Sequence, residues 1–261
     1  MQNKKRTQKP FLKEESQPSE NLISGRNAVR ELLASGRDID KIFIAEGNRD
    51  GSIHVLIAKA RERKIPLIEV ERRRLDTMCG QTVHQGIAAV AAERDYSTVE
   101  EILEYAASRG EKPFVVIADG VEDPHNLGAI IRSAECAGVH GIIIPKRRAV
   151  GLTGVVAKSS AGAIEHMRVA RVTNLSATID ELKKAGLWIY AADMGGSAYY
   201  DTDLCGAIAL VLGSEGFGIS RLVLEKCDFV VSIPMYGQVN SMNVSAAAAV
   251  LFCEAAKQRK I

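Results

Sequence analysis

Much that would assign this chain to a specialised class is scarce or missing. Aromatic residues make up only 5% of the 261 positions, with one tryptophan. No apolar run approaches the roughly 20 residues that cross a bilayer, so no membrane association is expected. The formal net charge is only +2, which excludes a polycation that holds nucleic acid by bulk charge. The five cysteines, Cys79, Cys136, Cys205, Cys227 and Cys253, form no CxxC pair and have no histidine at ligand spacing. A zinc site is therefore excluded, no metal is expected, and reduced thiols in a cytoplasmic protein fit better than a disulfide framework. The glycines make neither a Walker loop nor GxGxxG. Residues 1–20 are basic but lack the apolar stretch of a signal peptide, and they read as a disordered polar tail.

What is present describes an ordinary globular body, 46% hydrophobic and 25% charged, long enough for two modest domains. Over residues 21–93 helical spacing in GRNAVRELLASG alternates with short strands such as KIFIAE and GIAAVAAE, which predicts a small α/β unit. Residues 94–112 are polar and read as a linker, helical in part, with Ser97 or Thr98 as a candidate cap. From residue 113 six strand candidates follow: PFVVIADGV, GIIIP, MRVARV, LWIYAADM, AIALVLG and VVSIPM. Helical segments separate most of them, so the pattern predicts a parallel sheet covered on both faces over residues 113–261.

Three junctions in this second unit carry polar residues where open α/β sheets bind ligands. In DGVEDPHNLGAIIR, Asp123 and Pro124 suit an N-cap and first helical residue, and Leu127, Ile130, Ile131 and Ala134 form the buried stripe. Arg132 lies off that stripe one turn after Gly128, whose missing side chain is expected to leave clearance beside the guanidinium. Such an arginine suits a phosphate or an oxyanion, although spacing alone favours an ordinary arginine that pairs with Glu135 or with solvent. In ALVLGSEGFGIS, Gly213, Gly216 and Gly218 surround Glu215 at the end of a buried strand. In VSIPMYGQVNSMNVSAAAA, Asn240, Ser241 and Asn243 precede a helix, where capping is their routine use. Ala246–Ala249 allow a close helix contact, and Leu251 and Phe252 are expected to add apolar area for a partner subunit. The runs Arg72-Arg73-Arg74 and Lys146-Arg147-Arg148 read as solvated faces. None of the five histidines is assigned a catalytic role.

Taken together, NLGAIIR, LVLGSEGFG and SIPM…SMNVSAAAA resemble the three motifs of the SpoU (TrmH-like) RNA 2′-O-ribose methyltransferases of the SPOUT superfamily. The likeness continues through KSSAGAIEHMRVARVTNL. With GRNAVRELL and HQGIAAV in front, the chain is similar to the bacterial 23S rRNA guanosine-2′-O-methyltransferase (RlmB) branch over about residues 21–259. The resemblance implies a trefoil-knotted α/β methyltransferase domain behind an L30e-like RNA-binding domain. It also implies a homodimer that binds S-adenosylmethionine, with Gly213, Ile233, Met235 and Met242 at the cofactor. Arg132 matches the catalytic arginine, and Asn126, Glu215, Ser241 and Asn243 match the remaining polar motif positions. The same motifs would serve a tRNA ribose methyltransferase or a resistance rRNA methyltransferase. A non-catalytic RNA-binding factor would have no need of the set Asn126, Arg132, Glu215 and Asn243.

Overall fold

The computed structural model describes residues 21–47, 51–80, 83–92 and 94–259; the expected tail at 1–20 lies outside the described residues. The front unit runs β1 (Leu22–Ser24), α1 (Arg26–Ala34), β2 (Ile39–Ala45), α2 (Gly51–Glu62), β3 (Leu67–Val70), α3 (Arg72–Cys79) and β4 (Ile87–Ala91). Its sheet has the order β1-β4-β2-β3, in which only β2 and β3 are parallel. The apolar spacing of α1 buries Ala28, Val29, Leu32 and Leu33, the stripe that a core-facing helix requires.

The larger unit contains β5 (Phe114–Ala118), α5 (Pro124–Cys136), β6 (Gly141–Pro145), α6 (Gly154–Ser159), β7 (Arg168–Val172), α7 (Leu175–Lys184), β8 (Trp188–Ala198), β9 (Ile208–Leu212), α8 (Arg221–Leu224), β10 (Phe229–Ser232) and α9 (Val244–Arg259). All six expected strands form, in the order β10-β8-β9-β5-β6-β7, and every neighbouring pair is parallel. β5 and β9 are buried along their whole length, as strands covered on both faces must be. From β5 the chain steps outward through β6 and β7, then crosses to lay β8 and β9 on the other side. That reversal creates a crevice at the carboxyl ends of β5 and β9.

Two local expectations need correction, and two others gain detail. The partial helix and the Thr98 cap expected in 94–112 form: Thr98 and Glu101 make a reciprocal capping box on α4 (Val99–Ser108), whose Val99, Ile102 and Ala106 are buried. Val99 and Ile102 join the core on one face of the large sheet. Gly128 makes no clearance for Arg132. A Cβ there would stand 2.4 Å from the Ser159 Cβ and 3.0 Å from the backbone of α6, so the glycine exists to let α5 and α6 touch. Among the described residues Arg132 forms no ion pair with Glu135 and is exposed to solvent, the other arrangement that spacing allowed. Finally, Leu251 and Phe252 are 1% and 0% exposed; Phe252 packs edge-on to Phe114 at 6.1 Å, so these two side chains belong to the chain's own core.

The units are joined by polar and apolar contacts. One continuous core includes Leu32, Ile53 and Leu56 of the front unit and Leu127, Ile130 and Ile164 of the large one. At its edge Glu165, its side chain 2% exposed, receives hydrogen bonds from Arg37 and Arg94, both at 3.1 Å. A carboxylate so far from water is tolerated only with such partners.

The sheet's amino-terminal end is tied down by His140, which accepts a hydrogen bond from the Phe114 N–H at Nδ1 (2.9 Å) and meets Glu111 at Nε2 (3.0 Å). Burial holds the imidazole below its ordinary value of 6.5, against the opposing pull of Glu111. The unfolded ring takes up a proton more readily than the folded one, so its contribution to stability is complete above that value and is lost as the pH falls below it. Thermal unfolding is expected at a lower temperature at about pH 5.5 than at about pH 7.5. His140→Asn, which keeps an acceptor near Nδ1 but cannot titrate, narrows that difference.

Candidate functional site

Three loops meet at the crevice. After β5, the Asp123 side chain accepts from the His125 N–H at 3.0 Å and starts α5 with Pro124 in the first turn, the arrangement favoured at helix entries. After β9, the chain turns through Ser214–Gly218, closed by reciprocal backbone hydrogen bonds of 3.0 Å between Ser214 and Gly218. Gly213 permits the closure: a Cβ on it would lie 2.3 Å from the Gly218 carbonyl carbon. The turn is fastened to the first loop, since Asp119 accepts from the Ser220 N–H at 2.7 Å. After β10, the segment 233–243 returns over the crevice and enters α9.

Asn243 ties the three together. Its Oδ1 caps α9, accepting from the Ser245 N–H at 3.0 Å and the Ala246 N–H at 3.3 Å. Its Nδ2 donates to Asn126 Oδ1 at 2.9 Å and to Glu215 Oε1 at 2.6 Å. The expected capping role and the expected site role therefore fall on one side chain. Asn126 is 7% exposed, whereas Glu215 and Asn243 remain open to solvent.

Two cavities adjoin at this knot of side chains. The larger, about 770 Å³, is lined by all four expected cofactor residues, Gly213, Ile233, Met235 and Met242, together with Ser241, Asn243 and Glu215. The second, about 490 Å³, takes Asn126 and shares Glu215 with the first. Arg132 stands apart: it is exposed, has no hydrogen-bond or ion-pair partner among the described residues, and lines neither cavity. Sequence reasoning missed Asp193 and Met194 in the larger cavity, because LWIYAADM reads as plain strand. It also missed Asp119, whose only signal was a carboxylate at the end of an apolar strand. The thiols of buried Cys79 and half-buried Cys227 are pushed up to about 11 by burial, which keeps them protonated and unreactive. Among the described residues no group of His, Cys, Asp and Glu could hold a metal ion, and no helix is long and apolar enough to cross a membrane.

The double use of Asn243 can be tested without ligand. Asn243→Ala should lower unfolding free energy by about 1 kcal/mol, the usual worth of an N-cap. Asn243→Asp keeps the cap acceptor but sets a second carboxylate against Glu215. In chemical denaturation it should be less stable than the parent near neutrality and should regain ground as the pH falls toward the carboxyl range, where one of the pair takes up a proton.

Comparison with known proteins gives the family. Residues 113–253 match the profile of the SpoU rRNA Methylase family, and residues 22–97 match that of the RNA 2′-O ribose methyltransferase substrate-binding domain. A TrmH family tRNA/rRNA methyltransferase described from Staphylococcus haemolyticus is 46% identical over 239 residues, covering 91% of this chain and 96% of the relative. The crystal structure of an RNA 2′-O ribose methyltransferase superposes with a TM-score of 0.77 at 26% identity, covering 93% of this chain and 91% of that one. The SpoU methyltransferase AviRb from Streptomyces viridochromogenes, solved in complex with AdoMet, shares the fold at a TM-score of 0.76 and 24% identity, with 92% and 90% covered. With both units matched and a near full-length relative at this identity, the chain belongs to the SpoU (TrmH) family of RNA 2′-O-ribose methyltransferases.

Proposed function

We propose that the chain transfers a methyl group from S-adenosylmethionine to the 2′-hydroxyl of one ribosomal nucleotide, a guanosine of 23S rRNA, and that it does so in the cytoplasm as a homodimer. The observation that carries the reading is the convergence of Asn126, Glu215 and Asn243 beside a cavity lined by Gly213, Ile233, Met235 and Met242. The size of that cavity is within the range of small-molecule sites, and its mixture of apolar side chains with a few polar groups suits a nucleoside that carries a sulfonium. When bound, S-adenosylmethionine supplies a methyl group already activated by its positive sulfur.

The chain's own residues then have separable tasks. The Gly213 turn lets backbone approach the cofactor closely, while Ile233, Met235 and Met242 exclude water. Asn126 and Asn243 fix the Glu215 carboxylate at the border between the cavities, where it can accept a hydrogen bond from a ribose hydroxyl, and Ser241 adds a hydroxyl on the cofactor side. Arg132 cannot act as a simple base because its own proton is held too tightly; its role is to stabilise the negative charge that develops on the ribose oxygen. Since Arg132 lines neither cavity, bound RNA or a second subunit must complete the site around it. The exposed Tyr236 and Val239 beside the cofactor loop, 91% and 72% accessible, offer apolar surface for that second subunit. The return of segment 233–243 through the crevice is read as the threaded part of a trefoil knot, and the front unit as the L30e-like RNA-binding domain.

Mapping 2′-O-methyl sites in the ribosomal and transfer RNA of a strain lacking the gene, before and after its restoration, tests the substrate. One ribosomal guanosine should lose and regain its methyl group; a change confined to transfer RNA overturns the ribosomal assignment. Arg132→Ala should keep cofactor binding and lower single-turnover methyl transfer by about 10²–10³, and a near-normal rate would remove it from the mechanism. Light scattering at micromolar protein should report twice the chain mass of 28.2 kDa, and a monomer that turns over RNA would refute the dimer.

A further inference from the structure

The cavity of about 490 Å³ on the far side of Glu215 is not accounted for by the cofactor. It shares Ser214, Glu215, Gly218 and Val244 with the cofactor cavity, so the two are neighbours across the proposed reacting position. Three of its lining residues have exposed side chains that the fold does not explain. Phe217 is 95% exposed, an unusual setting for an aromatic ring at the tip of a turn. Arg148 and Glu122 are exposed and carry opposite charges, yet neither has a hydrogen-bond or ion-pair partner among the described residues, and they do not pair with each other.

The segment that bears Arg148 is held against this cavity from two sides. The Val150 N–H donates to the Val121 carbonyl at 3.2 Å, which fastens it to the loop that carries Glu122. The Leu152 N–H donates to the Tyr96 hydroxyl at 3.1 Å. Arg148 itself adopts a left-handed backbone with φ of 55°, a conformation that costs a non-glycine residue about 1 kcal/mol or more. Its run, Lys146-Arg147-Arg148, reads in sequence as a solvated charged face, but the fold brings its last member to the wall of a cavity.

A flat aromatic ring, a free guanidinium and a free carboxylate around one cavity match the parts of a nucleotide taken out of its stack. Unstacked bases lie against aromatic rings and are read along their Watson–Crick edge, and arginine binds phosphate through paired N–H donors. A carboxylate only accepts hydrogen bonds, so it selects a base edge that donates; guanine alone offers an adjacent ring N–H and amino group to two carboxylate oxygens. We propose that this cavity is the target-nucleotide subsite, with Phe217 stacking on the base, Arg148 binding a backbone phosphate and Glu122 selecting guanine. The proposal rests on the reading of the neighbouring cavity as the cofactor site.

Steady-state methylation tests it, using unmodified 23S rRNA and tRNA transcripts and following whichever the unaltered chain methylates. Phe217→Ala should raise KM for RNA by about 5- to 100-fold, the range for loss of one stacked base. Arg148→Asn, a residue that tolerates the left-handed backbone, should raise KM and flatten the log–log salt dependence by about one unit. Glu122→Gln should lower discrimination among bases, seen as additional 2′-O-methylnucleosides after digestion and chromatography. S-adenosylmethionine affinity by calorimetry should stay within about twofold in all three, because none lines the cofactor cavity. A KM for Phe217→Ala and Arg148→Asn equal to that of the unaltered chain overturns the subsite, and a product other than 2′-O-methylguanosine from the unaltered chain overturns the role of Glu122. Failure of the unaltered chain to bind S-adenosylmethionine would instead remove the cofactor reading beneath it.

Discussion

Everything at the crevice depends on where the Asn243 amide is held. Its two hydrogen-bonding ends do different work: the oxygen closes the first turn of α9, and the nitrogen binds Asn126 and Glu215. Because the helix cannot start elsewhere without leaving its first N–H groups unsatisfied, the cap fixes the direction of the amide nitrogen. That direction then holds both the Glu215 carboxylate and the Asn126 side-chain carbonyl, the latter on a residue 117 positions away from Asn243. A carboxylate on a glycine-rich turn would otherwise sample many positions; here it is held in one.

The second constraint is close approach of backbone to backbone. Gly213 allows the turn after β9 to fold onto itself, Gly128 allows α6 to lie on α5, and Gly196 lets β8 run against the Val230 carbonyl, where any Cβ would stand 2.1 Å from the oxygen. β8 pairs with β10 in two segments separated by a break in register between Val230 and Val231. The residues skipped by that break include Asp193 and Met194, which line the larger cavity. Irregular pairing here frees a stretch of strand to form a wall, a common use of bulges beside functional sites.

The relation between the two units is set by a different kind of contact. The buried Glu165 carboxylate is neutralised by Arg37 of the front unit and by Arg94 at the junction, and Arg94 also donates to the Met167 carbonyl at 3.0 Å. A buried ion pair adds little net stability but strongly penalises arrangements that separate its members. Together with the shared apolar core, it holds the family's substrate-binding unit in a defined place relative to the crevice.

The six parallel strands, the α5 cap at Asp123 and its stripe of Leu127, Ile130, Ile131 and Ala134 were legible in the sequence, because short apolar runs, caps and helical spacing are local signals. The three polar motifs were legible for the same reason: each follows a strand end. The chain by itself did not determine what those residues do to one another. That Asn243 would bind Asn126 and Glu215, that Gly128 would serve α6 rather than Arg132, and that Leu251 and Phe252 would pack inward all depend on contacts between distant segments. The polar stretch around α4 showed its helix and cap but not how fully the helix packs, since three buried residues in ten give a weak periodic signal. Arg148 and Phe217 are the clearest case. Arg148 read as a solvated charge and Phe217 carried no signal of its own; only the tertiary structure, by folding two loops around one cavity, placed both on its wall.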